Sequence, residues 1–238
     1  MIGIGTKIEE VVKMDNNIIN FFNKEKIDFC CNGYKNISDV ADEKNIDPNE
    51  LLEKIKRNID FNNSTEETVV DLEDFKNLSL EDMIDSLIID HHNKERDLLF
   101  EIDPLLNKIL SVHYSNHGQD LMKLHYIFSD LKKELEEHFI KEEKQTFPLM
   151  LENKNPSIEI IKKIEDLESD HEKAGNLIKE MIDLTDWFTV PEDGCTTYRL
   201  TFDLLDKLVK DVFVHIFKEN SIMFENYTES EKNNEKAN

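Results

Sequence analysis

Two four-step spacings in this chain could do chemistry: His138-Phe-Ile-Lys-Glu142 and His215-Ile-Phe-Lys-Glu219. Each puts an imidazole and a carboxylate one turn apart on the same face of a helix. They lie 77 residues apart, and each is followed by an aromatic, Phe147 and Phe224. Imidazole nitrogen and carboxylate oxygen both bind first-row transition metals, and a carboxylate can bridge two cations. With His92 before the first pair and His171 between the two, the spacings read as parts of a metal site assembled from several helices.

Such a site needs helices to hold it. Glycine (6) and proline (5) are sparse among 238 residues, and Leu/Ile/Glu/Lys runs dominate over β-type alternation. That predicts an all-α protein. Residues 1–60 read as a small helical unit. Thr6-Lys-Ile-Glu9 has a capping-box pattern, and the Ile8–Phe22 stripe should end near Asn23–Lys26. Cys30-Cys31 fall in a turn with Gly33, which is free to take positive φ. A short helix is expected over Ile37–Glu43, and Asp47-Pro48 should open another over Leu51–Ile59. Residues 61–78 read as a linker with a brief extended piece at Thr68–Val70.

From Ser79 to about residue 228 the spacing predicts an antiparallel up-down four-helix bundle. Its helices run to about Tyr114, from Gln119 to Phe147 before Pro148, from Ser157 to Phe188, and from Thr196 to Tyr227. Ser115–Gly118 forms the first turn, Pro104 is a potential kink, and residues 229–238 form a polar, disordered tail.

Depth along these helices tests the site. At 1.5 Å per residue, His92, His138, His171 and His215 lie about 20, 15, 21 and 18 Å from one end of the bundle, all in one layer. Glu142 and Glu219 sit one turn further toward that end. His113 is 21 residues past His92, about 31 Å along a continuous helix, so the two cannot share one centre. His117 and His125 belong with it toward the opposite end. Either His91 or His92 could face inward; Ile88, one turn earlier, favours His92. Glu134, one turn before His138, and Glu168 and Asp170, flanking His171, are candidates to hold a ligand's ring N–H or relay protons. Four imidazoles with two carboxylates suit a dinuclear centre, with iron expected and positions left for a bridging oxide or hydroxide and an outside ligand.

Charge and cysteine usage bound the partners. The net charge of −23 argues against nucleic-acid binding and against an anionic membrane surface. The amino-terminal residues lack a basic stretch ahead of an apolar run, and no run of about 18 or more apolar residues occurs anywhere. Three cysteines, two of them adjacent, do not make a secreted disulfide framework. A cytoplasmic location is expected. Cys30 and Cys31 could form only a strained vicinal disulfide, bind a metal in transit, meet a partner, or simply be small buried thiols.

Taken in order, these residues resemble a known family. Asp28-Phe-Cys-Cys-Asn-Gly33, His92-Asn-Lys-Glu-Arg96-Asp97, Glu137-His138-Phe-Ile-Lys-Glu142-Glu143, Phe147-Pro148, Glu168-Ser-Asp-His171-Glu-Lys-Ala-Gly175, Cys195-Thr-Thr197 and His215-Ile-Phe-Lys-Glu219-Asn220 are similar to the repair-of-iron-centres proteins (ScdA/YtfE type). The resemblance covers about residues 5–226. It implies a small Cys-Cys domain followed by a hemerythrin-like domain with two non-haem irons on His92, His138, His171 and His215, bridged by Glu142 and Glu219. It selects His92 over His91 and implies a supporting role for His113. It also implies repair of iron–sulfur clusters damaged by nitric oxide or oxidants through supply of iron, reaction with nitric oxide, and dimers. Alternatives are a hemerythrin-like protein binding or sensing dioxygen or nitric oxide, and an enzyme reducing nitric oxide to nitrous oxide. Asn32 stands where the family has glycine, and Glu225 where it has proline.

Overall fold

The computed structural model describes residues 2–61, 72–153 and 155–228. Among them there is no β-strand, only an isolated bridge between Lys7 and Asn36. The expected extended piece at residues 68–70 and the polar tail lie outside the described residues. The chain forms two compact units: residues 1–79 with 216–226, and residues 80–215 with 227 onward.

The first unit holds α1 (Ile8–Met14), α2 (Ile18–Lys24), α3 (Ile37–Glu43), α4 (Pro48–Phe61) and α5 (Leu72–Lys76). The Ile8–Phe22 stripe is split in two because Asp15 Oδ1 accepts the Asn17 N–H at 3.0 Å, a local turn that competes with helix. Thr6 does not cap α1. Its hydroxyl accepts from Gly3 N–H, and Glu10 instead accepts from the Lys7 N–H at 3.3 Å. Leu72 and Phe75, three residues apart, are buried and make the end of the linker segment helical. The core gathers Ile8, Val11, Phe22, Phe29, Ile37, Leu51 and Ile55. Phe29 lies 6.0 Å, ring to ring, from Phe217 of the helical turn that belongs to this unit. Lys218 stands over Phe75 at 4.9 Å.

In the Cys-Cys turn no glycine takes positive φ. Gly33 is required for room instead, since a Cβ there would lie 2.6 Å from the Phe29 carbonyl oxygen. Asn32 has a job of its own: its Nδ2 donates to Asp28 Oδ2 at 2.6 Å.

The second unit is an antiparallel four-helix bundle. Its first arm is α6 (Leu80–Ser86), a π-helical turn (Leu87–His92) and the start of α7 (Asn93–Lys141). Helical backbone continues through all 49 residues of α7, about 73 Å if straight. Side-chain contacts show instead a hairpin: His125 Nε2 is 3.1 Å from Asn107 Oδ1, Lys132 Nζ is 2.6 Å from Asp103, and Arg96 Nη1 is 2.8 Å from Glu143. Those pairings centre on residues 116–120, at the expected turn. Gly118 is buried there, and a Cβ would press to 2.9 Å on the Tyr114 ring.

The second arm continues past Lys141 through another π-turn (Glu142–Thr146) into α8 (Phe147–Glu152). Pro148 therefore does not stop the helix. The π-turn restarts the hydrogen-bond register, and Pro148 falls in the first turn of α8, where its missing N–H costs nothing. The third arm is α9 (Ile158–Thr185), capped by Ser157 Oγ, which accepts from the Ile160 N–H. It ends in three successive left-handed residues, Asp186, Trp187 and Phe188, anchored by a Trp187 Nε1–H bond to Asp206. The fourth arm is α10 (Thr196–Lys218) as far as His215; its last residues and the third π-turn that follows (Glu219–Phe224) are counted with the first unit. No helix among the described residues is long and apolar enough to cross a membrane.

Candidate metal centre

His92 ends the first π-turn, Glu142 begins the second and Glu219 begins the third. A π-turn inserts one residue into a helix and swings the side chains after it round the axis, a distortion frequent at functional sites. Three of the four arms thus distort where they present a candidate ligand. The exception is His171, in the middle of the regular α9.

The side chains converge in two groups that share two members. His92, Glu142, His215 and Glu219 offer donor atoms all within 4.8 Å of one another, and so do His138, Glu142, His171 and Glu219. All six are buried. Glu142 divides its oxygens between the groups: Oε2 lies 3.3 Å from His92 Nε2 and Oε1 lies 3.2 Å from His138 Nε2. His92 and His215 face each other through Nε2 atoms 3.2 Å apart, and His138 and His171 do the same at 3.0 Å.

The outer ring nitrogens explain why these inner ones are ligand-like. His92 Nδ1 lies 2.9 Å from Glu143, and His215 Nδ1 lies 3.1 Å from Glu95. A carboxylate at Nδ1 keeps the proton there, which leaves the Nε2 lone pair aimed inward. Two such lone pairs in contact, beside buried carboxylates, repel in a dry interior. A cation between them turns the repulsion into coordination, so the donor set fits metal.

Glu143 is itself locked. Burial pushes its carboxyl up, but hydrogen bonds from Arg96 and His92 outweigh burial and hold it below the usual range. Arg96 also lies over the Phe139 ring at 4.9 Å, and that ring stacks on His92 at 4.6 Å. The next histidine turns away, with His91 Nδ1 3.1 Å from Asp211 Oδ2 and Lys94 on the other oxygen at 2.6 Å.

Glu143 and Glu95, the carboxylates at the outer nitrogens of His92 and His215, were not among the residues chosen by spacing. Asp170 is buried and pairs with Lys141 and Lys173, tying α9 to α7. Burial raises its pKa, and the two lysines bring it below normal. Glu168 is exposed, with its pKa raised by burial of part of its side chain against the lowering pull of His171. Glu134 is half-buried beside Lys133. Glu95 and Glu143 escaped the spacing argument because each serves a histidine on another arm, 120 and 51 residues away.

Distal histidines stay distal. His113 lies against Cys195, His117 against Asp193 and His125 against Asn107. In the first unit, Asp28, Cys30 and Cys31 form a further set with donor atoms within 4.8 Å. The two cysteines are not joined in a disulfide, and their sulfurs lie 3.7 Å apart. Asp28 Oδ1 accepts the N–H groups of Cys30, Cys31 and Asn32 at 3.2, 2.9 and 3.2 Å. Burial, then Cys31, drives the Cys30 thiol well above its ordinary pKa.

Fold and donor set together define a helical bundle built to bind cations in its core. The match to known families agrees: residues 83–227 fit the hemerythrin HHE cation binding domain, and residues 4–59 fit ScdA_N, a domain of unknown function. The chain belongs to the hemerythrin HHE family. It is 30% identical over 208 residues to the iron-sulfur cluster repair protein ScdA of Staphylococcus epidermidis, covering 86% of this chain and 90% of that one. It is 28% identical to the iron-sulfur cluster repair protein YtfE of Enterobacter sp., covering 85% and 87%. The corresponding protein of Escherichia coli O8 is 27% identical, with the same coverage.

Proposed function

We propose that the His/Glu layer holds two non-haem iron ions and that the protein gives up iron to iron–sulfur proteins damaged by nitric oxide or oxidants. The observation that carries this reading is Glu142, with one oxygen turned to each of two donor groups. His92 and His215 would hold one ion, His138 and His171 the other, with Glu142 and Glu219 shared. Mixed imidazole and carboxylate donors suit iron, and four donors per ion leave coordination positions for nitric oxide or dioxygen. The repair activity is read from the names of the relatives above, which this chain matches along most of its length.

Donation requires release. Every iron-facing imidazole must be neutral to bind, so protons compete with the metal for the same nitrogens and acidification loosens the site. Residues 1–60 contribute the Asp28/Cys30/Cys31 set as a transit point for iron in a reducing cytoplasm, and residues 79–228 the store itself.

Glu143 should matter though it is not a ligand. In Glu143→Gln the carboxylate that fixes the His92 tautomer is lost. Affinity for the ion at His92 should fall about 10–100-fold, read by anaerobic competition with a chelator.

The function is tested by loading the reduced protein with isotopically labelled iron and mixing it anaerobically with an apo iron–sulfur protein. The expected result is label in the recovered cluster, matched by loss of label from the bundle. No transfer, together with stoichiometric nitrous oxide on adding nitric oxide, would replace donation with nitric oxide reduction.

A further inference from the structure

The hairpin end of the bundle carries a second arrangement of reactive groups. His113 is about 31 Å along α7 from the start of the metal layer. Its Nε2 lies 3.2 Å from Sγ of Cys195, an exposed thiol immediately ahead of the 23-residue helix α10. The backbone N–H groups of Thr197 and Tyr198 are placed to favour the thiolate at that sulfur. The pair is held by more than its own rotamers. Asp193, two residues before Cys195, is clamped to the hairpin by His117 Nε2 at 2.7 Å and Asn116 Nδ2 at 2.9 Å. The Pro191–Gly194 turn is closed by a 2.8 Å hydrogen bond from the Gly194 N–H, and a Cβ on Gly194 would lie 2.4 Å from Val190. The buried Tyr198 ring meets His113 edge-on at 5.2 Å.

We propose that Cys195 and His113 form a hydrogen-bonded thiol–imidazole pair, with His113 taking the thiol proton, that exchanges with small disulfides, making Cys195 a site of reversible S-thiolation. Sγ attacks one sulfur of a low-molecular-weight disulfide and the S–S bond breaks. The mixed disulfide stays on Cys195, and the departing thiolate takes the proton held by His113. The exchange needs no oxidant beyond the disulfide itself.

The other thiols are poorer candidates, since Cys30 is buried with its pKa raised and Cys31 is half-buried beside it. The hydrogen bond from His113 does most to lower the Cys195 pKa to about 7, with the Tyr198 and Thr197 N–H groups adding to it. The remaining ionisable groups around the pair are His117 and Asp193, bonded to each other, then Asp120 and Tyr198, whose phenol burial pushes up to about 12. These carboxylates and the net charge of −23 favour a neutral or cationic disulfide. The pair owes nothing to the iron layer and does not depend on its occupancy.

The test uses the reduced full-length protein and neutral dithiodipyridine, following released pyridinethione against pH. One fast thiol per chain is expected, with a rate midpoint near pH 7, and peptide mapping after brief exposure to hydroxyethyl disulfide should find the adduct on Cys195. Cys195→Ser should abolish the fast phase. In His113→Gln the midpoint should rise toward about 8.5, and the rate at pH 7 should fall roughly three- to fivefold, because lost thiolate is partly offset by higher nucleophilicity. An adduct forming first on Cys31, or an unchanged pH profile in His113→Gln, overturns the proposal. Peptide mapping uses the wild-type chain, so it distinguishes Cys195 from Cys31 even where a variant fails to fold.

Discussion

On the proposed two-iron reading, Glu142→Ala is expected to strip both ions from the bundle, whereas His92→Ala should strip only one. The difference follows from membership. His92 belongs to one donor group, while Glu142 belongs to both and turns a separate oxygen to each. Loss of a group that merely supports a ligand costs about 10–100-fold in affinity, and loss of one donor in four costs more. The Glu142 deletion adds a second penalty, since the two cations lose the charge that screened each from the other. Iron per chain after anaerobic gel filtration should be near zero in Glu142→Ala and near one in His92→Ala. Glu219→Ala should behave as Glu142→Ala does. Two irons retained at undiminished affinity in either carboxylate variant would refute the shared-carboxylate assignment, and equal losses in His92→Ala and Glu142→Ala would show that the two groups bind only together.

What the sequence made legible is the part set by helical arithmetic. The His-x3-Glu pairs, the reversal at 115–118 and the common depth of four histidines need only 3.6 residues per turn, 1.5 Å per residue and one Gly-containing turn. Ser157 and Pro48 likewise mark helix starts by local chemistry alone. Three things were not legible, each for a physical reason. The π-turns at Leu87–His92, Glu142–Thr146 and Glu219–Phe224 have no composition of their own. They are held by the bundle, not by propensity, which is why Pro148 looked like a stop and is in fact a restart. The carboxylates at Nδ1 of His92 and His215, Glu143 and Glu95, come from other arms, where intrahelical spacing does not reach. Gly33 was read for its freedom in φ, yet what demands glycine is the Phe29 carbonyl passing beside it, a tertiary contact.

Removing the metal should reverse the stability order of wild type and Glu142→Gln. Loaded wild type gains RT ln(1 + [L]/Kd) from each ion, about 2.7 kcal/mol at a hundred times Kd, or about 5 kcal/mol for two. At roughly 2–4 °C per kcal/mol for a chain of this size, chelation should lower its melting temperature by about 10–20 °C. Glu142→Gln keeps the side-chain volume but removes a carboxylate that is 0% exposed. With iron present the substitution is destabilising, because the shared ligand is gone. Without iron it becomes neutral or stabilising, since a charge buried for the sake of cations no longer has them, and replacing buried ionic groups by neutral ones of like volume often stabilises by about 1–4 kcal/mol. Calorimetry of both proteins, with and without ferrous iron under anaerobic conditions, should therefore give curves that cross: wild type melts higher when loaded, the variant equal or higher when stripped. If Glu142→Gln is the less stable in both states, Glu142 serves the fold through hydrogen bonds to its imidazole neighbours. A crossing identifies the layer as a place where folding energy has been conceded to bind cations.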